Sequence, residues 1–495
     1  MNAIVSVWGF FQNNILTQPA FFIAFIVLVG YMLLGRKLYE AYAGSMKALV
    51  GYLILNVASG GLVSNFRPIL AGLKERFNLS AAVIDPYFGQ TAAQSAVESI
   101  GRSFSMMMMV LLVGFMFNLI LVLFRKITKV RTVFITGHIM VQQSATALWI
   151  LLFCFPHLQD TNIIIMLGIL LGTYWAVGSN LTVECTQDLT EGGGFGIAHQ
   201  QMFGIWAVDK IAGKFQSKDE TKNKKIEDLE MPGFLSIFSD NIVATSTLMT
   251  IFFGAIMLIL GKDLMGQIDT SMDTSRSFIF YIIEKSVSFA VYLQILQLGV
   301  RIFVSELTES FQGISNKLLP GSIPAVDCAA VYGFGHPNAI TLGFLFGALG
   351  QFVAILGLIV FKSPILIITG FVPVFFDNAT FAVYANRKGG LRAATIITFI
   401  SGVLQVTLGA VCVLAFGLSD FGGWHGNIDW STIWLAIGLS MKHLGYVGFG
   451  ICLAAMLAIP QMQYMKNKKY YFSITEDYDS YLAEMQADEC VEEVA

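Results

Sequence analysis

Residues 135–146 read ITGHIMVQQSAT and residues 368–380 read ITGFVPVFFDNAT, a match that needs one inserted residue. A second echo precedes it in each half: Gly61-Leu62 with Pro68, then Gly313-Ile314 with Pro320. Glycine and proline recur by chance, but two echoes in the same order point to an internal duplication. Both copies lie in long apolar sequence. Working outward from them gives about eleven stretches with the roughly 20 apolar residues that a membrane span needs: 19–35, 48–70, 104–124, 132–156, 162–183, 234–261, 278–303, 338–361, 363–386, 392–417 and 433–460. Several are interrupted by Gly, Pro or polar residues. Composition agrees, since 55% of the 495 residues are hydrophobic and only 13% charged, with mean hydropathy +0.68. A soluble domain carries about 25% charged residues, and so few cannot cover a body of this size in water. The expectation is an all-α polytopic membrane protein in a lipid bilayer, with re-entrant hairpins and two inverted structural repeats.

Lys and Arg collect at Arg36/Lys37, Arg125 to Arg131, Lys210 to Lys225, Arg387/Lys388/Arg392 and Lys466/Lys468/Lys469. All five clusters fall on one side if the N-terminus is outside and the C-terminus cytoplasmic, and the loop at 418–432 then lies outside with no Lys or Arg. The mixed-charge stretch KFQSKDETKNKKIEDLE divides the chain. The expected organisation is a first transmembrane repeat over 1–213, a cytoplasmic connector over 214–232, a second repeat over 233–465 and an acidic cytoplasmic tail over 466–495. Residues 1–16 lack a basic start and read as an interfacial helix rather than a cleaved signal. A net charge of -3 argues against nucleic acid as a partner. Six scattered cysteines form no CxxC pair, so neither a disulfide framework nor a cysteine zinc site is indicated.

Uncharged polar groups in apolar segments are costly unless paired or facing water. They cluster here in NVASGG (56–61), DPYFGQT (85–91), TGHIMVQQ (136–143), GGGFGIAHQQMF (192–203), AVDCAAVYGFGHPN (325–338) and FFDNATFAVYAN (375–386). His138 and Gln142 are four apart and share a helical face. His199, Gln200 and Gln201 follow a glycine-rich stretch, as at a re-entrant tip. Amides and imidazoles both donate and accept, which suits a neutral, hydroxyl-rich or weakly anionic small molecule. Gluing helices together is the competing role for the same residues. Asp327, in a small-residue segment after Pro320, is a functional candidate because an ionisable group there is expensive. No carboxylate or cysteine stands at ligand spacing from the histidines, so no metal or other cofactor is expected. Glu284 and Lys285 remain without a role. No GxSxG, HExxH, Walker or GxGxxG fingerprint appears in a strand–helix setting, so catalysis by this chain alone is not expected.

TGHIMVQQ, GFGIAHQQ, MPGFLSIFSDNIV, VRIFVSELTESFQGIS, PGSIPAVDCAA and GFVPVFFDNATFAVYAN together resemble the L-ascorbate-specific enzyme IIC, the permease component of the bacterial phosphotransferase system, over roughly 20–460. The resemblance implies a homodimeric inner-membrane permease of eleven spans plus hairpins, divided into a substrate-holding core domain and a V-shaped dimerisation domain. It implies ligand contacts at Ser59, Tyr87, His138, Gln142, His199, Gln200 and Asp327, and departs from the family at Pro86, where a hydroxyl residue is usual. It also implies phosphorylation of incoming L-ascorbate by a separate enzyme IIB protein carrying a phosphocysteine. Cys490, in the acidic DECVEE, lacks the electropositive surroundings of such a cysteine. A polyol such as galactitol as substrate, and ion-coupled secondary transport, stay open as alternatives.

Overall fold

The computed structural model describes residues 10, 14–15, 18–77, 80–216, 224–229, 232–234, 240–273, 275–319 and 321–485. Most of the expected interfacial helix, Pro320 and Cys490 lie outside the described residues. The first half contains α1 (Pro19–Leu33), α2 (Leu38–Phe77), β1 (Ser80–Ile84), α3 (Pro86–Ser99), α4 (Met106–Leu123), β2 (Thr132–Phe134), α5 (Gly137–Cys154), α6 (Asp160–Leu181), α7 (Val183–Thr190), β3 (Gly196–Ile197) and α8 (Met202–Ile211). The second contains α9 (Asn241–Leu260), α10 (Lys262–Ile268), α11 (Phe278–Leu318), β4 (Ile323–Val326), α12 (Pro337–Val360), β5 (Ile365–Thr369), α13 (Asn378–Ala415), β6 (Gly423–Trp424) and α14 (Ile433–Lys466).

Among the described residues, six helical segments are long and apolar enough to cross a membrane: Met106–Leu123, Gly137–Cys154, Asp160–Thr190, Pro337–Val360, Pro373–Ala415 and Ile428–Lys466. A seventh is added if Thr245–Leu260 and Lys262–Ile268, bent by 96°, make one broken span. Several of the expected segments therefore have different limits. The apolar stretch at 48–70 is the middle of the 40-residue α2, which continues through Glu40 at one end and Lys74 and Arg76 at the other. The stretches at 363–386 and 392–417 share one helical run that turns at Gly390, whose φ of +61° belongs to a conformation glycine adopts without steric cost. Close packing against α12 is equally dependent on glycine. A Cβ at Gly347 would collide with the Asn378 side chain, and one at Gly402 with the Gly347 carbonyl.

The purely α expectation is corrected by two small parallel sheets, in the orders β5–β1–β6 and β2–β4–β3. The windows at 132–156 and 363–386 both begin as strands rather than helix. TVF and ILIIT are rich in β-branched and aromatic side chains, which fit a pleated strand, and hydropathy cannot tell a short buried strand from helix. Pairing also satisfies backbone groups that would otherwise stand bare where the chain unwinds. Each sheet joins the two halves: Ser80–Ile84 pairs with Ile365–Thr369, and Thr132–Phe134 with Ile323–Ala325. In each, the central strand ends at an aspartate (Asp85, Asp327), one neighbour leads to a Thr-Gly step, and the other leads to a histidine-bearing loop.

The chain past α14 folds back onto this assembly. Buried Arg131 donates to the Tyr471 carbonyl at 2.7 Å and to Glu184 at 2.7 Å, and Ile474 packs with Val183 and Ile323. A separate cleft between α2 and the α10–α11 connection is lined by Arg67, Asp269, Arg276, Tyr281, Glu284 and Lys285. It gives the two unassigned residues partners, Lys285 with Asp269 at 2.6 Å and Glu284 with Arg276 at 3.1 Å. Burial alone would raise the Asp269 carboxyl, but Lys285, Ser271 and Tyr281 outweigh it and hold it at about 2.

Candidate functional site

The ends of β2, β3 and β4 converge, and each delivers part of one polar cluster. After β4, Asp327 caps the 3-10 turn Cys328–Gly333, its Oδ1 accepting from the Ala329 N–H at 2.9 Å. That leaves Oδ2 facing His138 Nε2 at 3.4 Å and His199 Nε2 at 4.0 Å. His138 is in the first turn of α5, directly after β2. His199 and Gln200 stand between β3 and α8, beyond a turn in which Gly192 and Gly194 take positive φ. Gln200 Nε2 donates to Gln142 Oε1 at 2.8 Å, one helical turn along α5 from His138. The Gln142 carboxamide in turn neighbours the hydroxyl of Tyr87. Tyr87 is placed by the start of α3, where Asp85 accepts its N–H at 3.1 Å and Pro86 occupies a position needing no donor.

Six of the seven candidate residues thus meet around one point, supplied by both halves of the chain. Ser59 lies on α2, and its side chain is outside the described residues. Aromatic rings flank the cluster, with Phe376 6.0 Å from the His199 ring and stacked on Tyr332 at 6.4 Å.

His138, His199 and Asp327 also offer three ligand atoms within 4.8 Å of one another. Two imidazoles and a carboxylate are donors that can hold a divalent ion. No carboxylate stands at ligand spacing from either histidine along the chain; the β2–β4 pairing brings one in from the other half. The same three groups equally suit a ligand bearing hydroxyls.

Residues 14–432 match the family described as the PTS system sugar-specific permease component. This chain belongs to that family. Among curated proteins, this chain is 35% identical over 436 residues to a protein of Mycoplasma pneumoniae named the ascorbate-specific PTS system EIIC component. The match covers 80% of this chain and spans 65% of the length of that relative. Membership and the apolar helices together make this chain a multi-pass membrane protein.

Four further residues of the cluster were not among the seven candidates named from sequence. Gln143 donates to Gln200 Oε1 at 2.9 Å and accepts from Trp175 Nε1 at 2.6 Å. Gln201 Oε1 lies 2.5 Å from His199 Nδ1. His425, after β6, reaches Gln200 Oε1 at 2.6 Å and lies over Trp430 at 4.0 Å. Gln143 and Gln201 stand in the quoted motifs, so their neighbours were a usable signal. His425 and Trp175 carried none, because nothing local links them to the two histidines.

Proposed function

We propose that this chain is an L-ascorbate permease that holds its substrate with Ser59, Tyr87, His138, Gln142, His199, Gln200 and Asp327. The observation that carries this reading is the cluster itself, in which two imidazoles, two carboxamides, a phenol and one carboxylate surround a single point. It offers donors to an enolate oxygen and acceptors to the hydroxyls of a side arm. The name of the Mycoplasma pneumoniae relative supports ascorbate among the sugars. In the proposed reaction a separate enzyme IIB docks on the cytoplasmic face. Its phosphocysteine S–P bond breaks as an O–P bond forms to an ascorbate hydroxyl, whose proton leaves to solvent.

The proposal extends to an inner-membrane homodimer of eleven spans, with the N-terminus outside and the C-terminus cytoplasmic. The basic clusters support the orientation. The two sequence echoes, and the shared strand order of the two sheets, support inverted repeats over 1–213 and 233–465, joined by the connector at 214–232 and followed by the tail at 466–495. The mutual packing of α1, α2, α9 and α11, beside a sheet-bearing remainder, supports a division into a V-shaped domain and a substrate-holding core.

Titration of the purified protein with L-ascorbate and with galactitol tests the substrate. Heat with ascorbate and none with galactitol is expected, and the reverse would reassign it. Liposomes containing the permease test the coupling. Ion-gradient-driven accumulation of unmodified ascorbate would replace the phosphotransfer mechanism with symport.

A further inference from the structure

We infer that the indole N–H of Trp175, buried and remote from the ligand, sets which face of the site donates hydrogen bonds, and so selects an anion there. This rests on the ascorbate reading above. A carboxamide can turn its oxygen or its nitrogen toward a partner, so a chain of glutamines has no intrinsic direction. An indole N–H donates only. Trp175 Nε1, 2.6 Å from the Gln143 carboxamide, must therefore meet Oε1. Gln143 Nε2 is then turned the other way and donates to Gln200 Oε1 at 2.9 Å and to the His199 carbonyl at 3.2 Å. With its oxygen so occupied, Gln200 donates from Nε2 to Gln142 Oε1 at 2.8 Å. With its oxygen taken by Gln200, Gln142 is left with its NH2 to donate, on the side where Tyr87 neighbours it. Every bond in the series points one way, and bonds aligned head to tail polarise one another.

His425 follows this direction without setting it. Its Nε2 lies 2.6 Å from Gln200 Oε1 and its Nδ1 3.0 Å from the Thr146 hydroxyl. Since that hydroxyl donates or accepts with equal ease, His425 is free to take whichever tautomer Gln200 requires. Trp175 has no alternative, and the His199 carbonyl, which can only accept, holds Gln143 in the same sense.

The opposite wall is fixed in the opposite sense. Gln201 Nε2 donates to the Phe376 carbonyl at 3.4 Å, so its Oε1 accepts from His199 Nδ1. The His199 Nε2 lone pair then faces the Asp327 carboxylate, 4.0 Å away. His138 Nε2, 3.4 Å from the same carboxylate oxygen, can donate to Asp327, and the His199 lone pair is left to accept from a ligand hydroxyl. The site is thus polarised, with donors on the Gln142–Tyr87 side and acceptors on the His199–Asp327 side. Its ligand is an anion with its charge at one end and its hydroxyls at the other.

The test replaces Trp175 with 3-benzothienylalanine, which keeps the fused-ring shape and its packing on Phe134 but has no N–H. Gln143→Leu, which interrupts the series at the next residue, is the second variant. Affinities for L-ascorbate and for the neutral L-gulono-1,4-lactone are measured in each. Both variants are expected to lose roughly tenfold in ascorbate affinity while lactone affinity stays within about twofold. Equal losses for both ligands would make Trp175 a packing residue and overturn the inference. Unchanged ascorbate affinity in both variants would overturn it too, and would leave the substrate assignment standing. A parent protein that binds the lactone and not ascorbate would instead remove the substrate assignment and the anion preference together.

Discussion

At the end of β1, Asp85 is 2% exposed and accepts backbone N–H groups from Tyr87 and Val372, each at 3.1 Å. At the end of β4, Asp327 has a side chain one-third exposed, accepts one backbone N–H and turns its other oxygen to two histidines. The strands, their order and the capping aspartate are alike, but the surroundings differ. Around Asp85 the Thr369-Gly370 step closes in, and Gly370 comes so near that a Cβ there would strike the Asp85 side chain. Around Asp327 the Thr136-Gly137 step leads to His138. One carboxylate is consumed in joining β1, α3 and the start of the α13 run, while the other keeps acceptor capacity for a ligand. The same local unit becomes a staple or a receptor according to whether neighbouring N–H groups use up its lone pairs.

The largest effect should follow from removing the staple. Asp85→Ala orphans two buried N–H groups and should cost on the order of 2–4 kcal/mol, seen as a lower unfolding temperature in detergent. Asp327→Ala should leave that temperature nearly unchanged and abolish ascorbate binding. If Asp85→Ala unfolds like the parent, the contrast between the two aspartates is lost.

Asp327→Asn sharpens the contrast. It keeps the shape but exchanges one acceptor oxygen for a donor, and should weaken binding at pH 7 by about 1.5–3 kcal/mol, the range of a hydrogen bond to a charged group. Equal or tighter binding in a titration would mean that Asp327 acts as a protonated donor. Smaller losses, about 0.5–1.5 kcal/mol each, are expected for His138→Ala and Gln142→Ala with the fold retained. Unchanged affinity in both would assign the pair to helix packing. The smallest effect expected is none: treatment with a metal chelator should leave ascorbate binding as it was. Loss on chelation with recovery on adding zinc would turn the Asp327 cluster into a metal site.

Much of this was decided by sequence alone. The scarcity of charge placed the chain in a membrane, because too few polar side chains exist to cover it in water. His138 and Gln142 could be paired from their spacing, since neighbours on a helical face are a local property. The capping aspartates and the breaks around Gly192 and Gly390 are local as well. Tertiary structure decided the rest. Strands of two to five residues inside apolar windows look like helix to any count of hydropathy, and only their partners, in the other half of the chain, hold them extended. The meeting of Asp327 with His138 and His199 depends on that pairing. So does the difference between Asp85 and Asp327, because a carboxylate's role is set by the donors that reach it, and those come from segments distant in sequence.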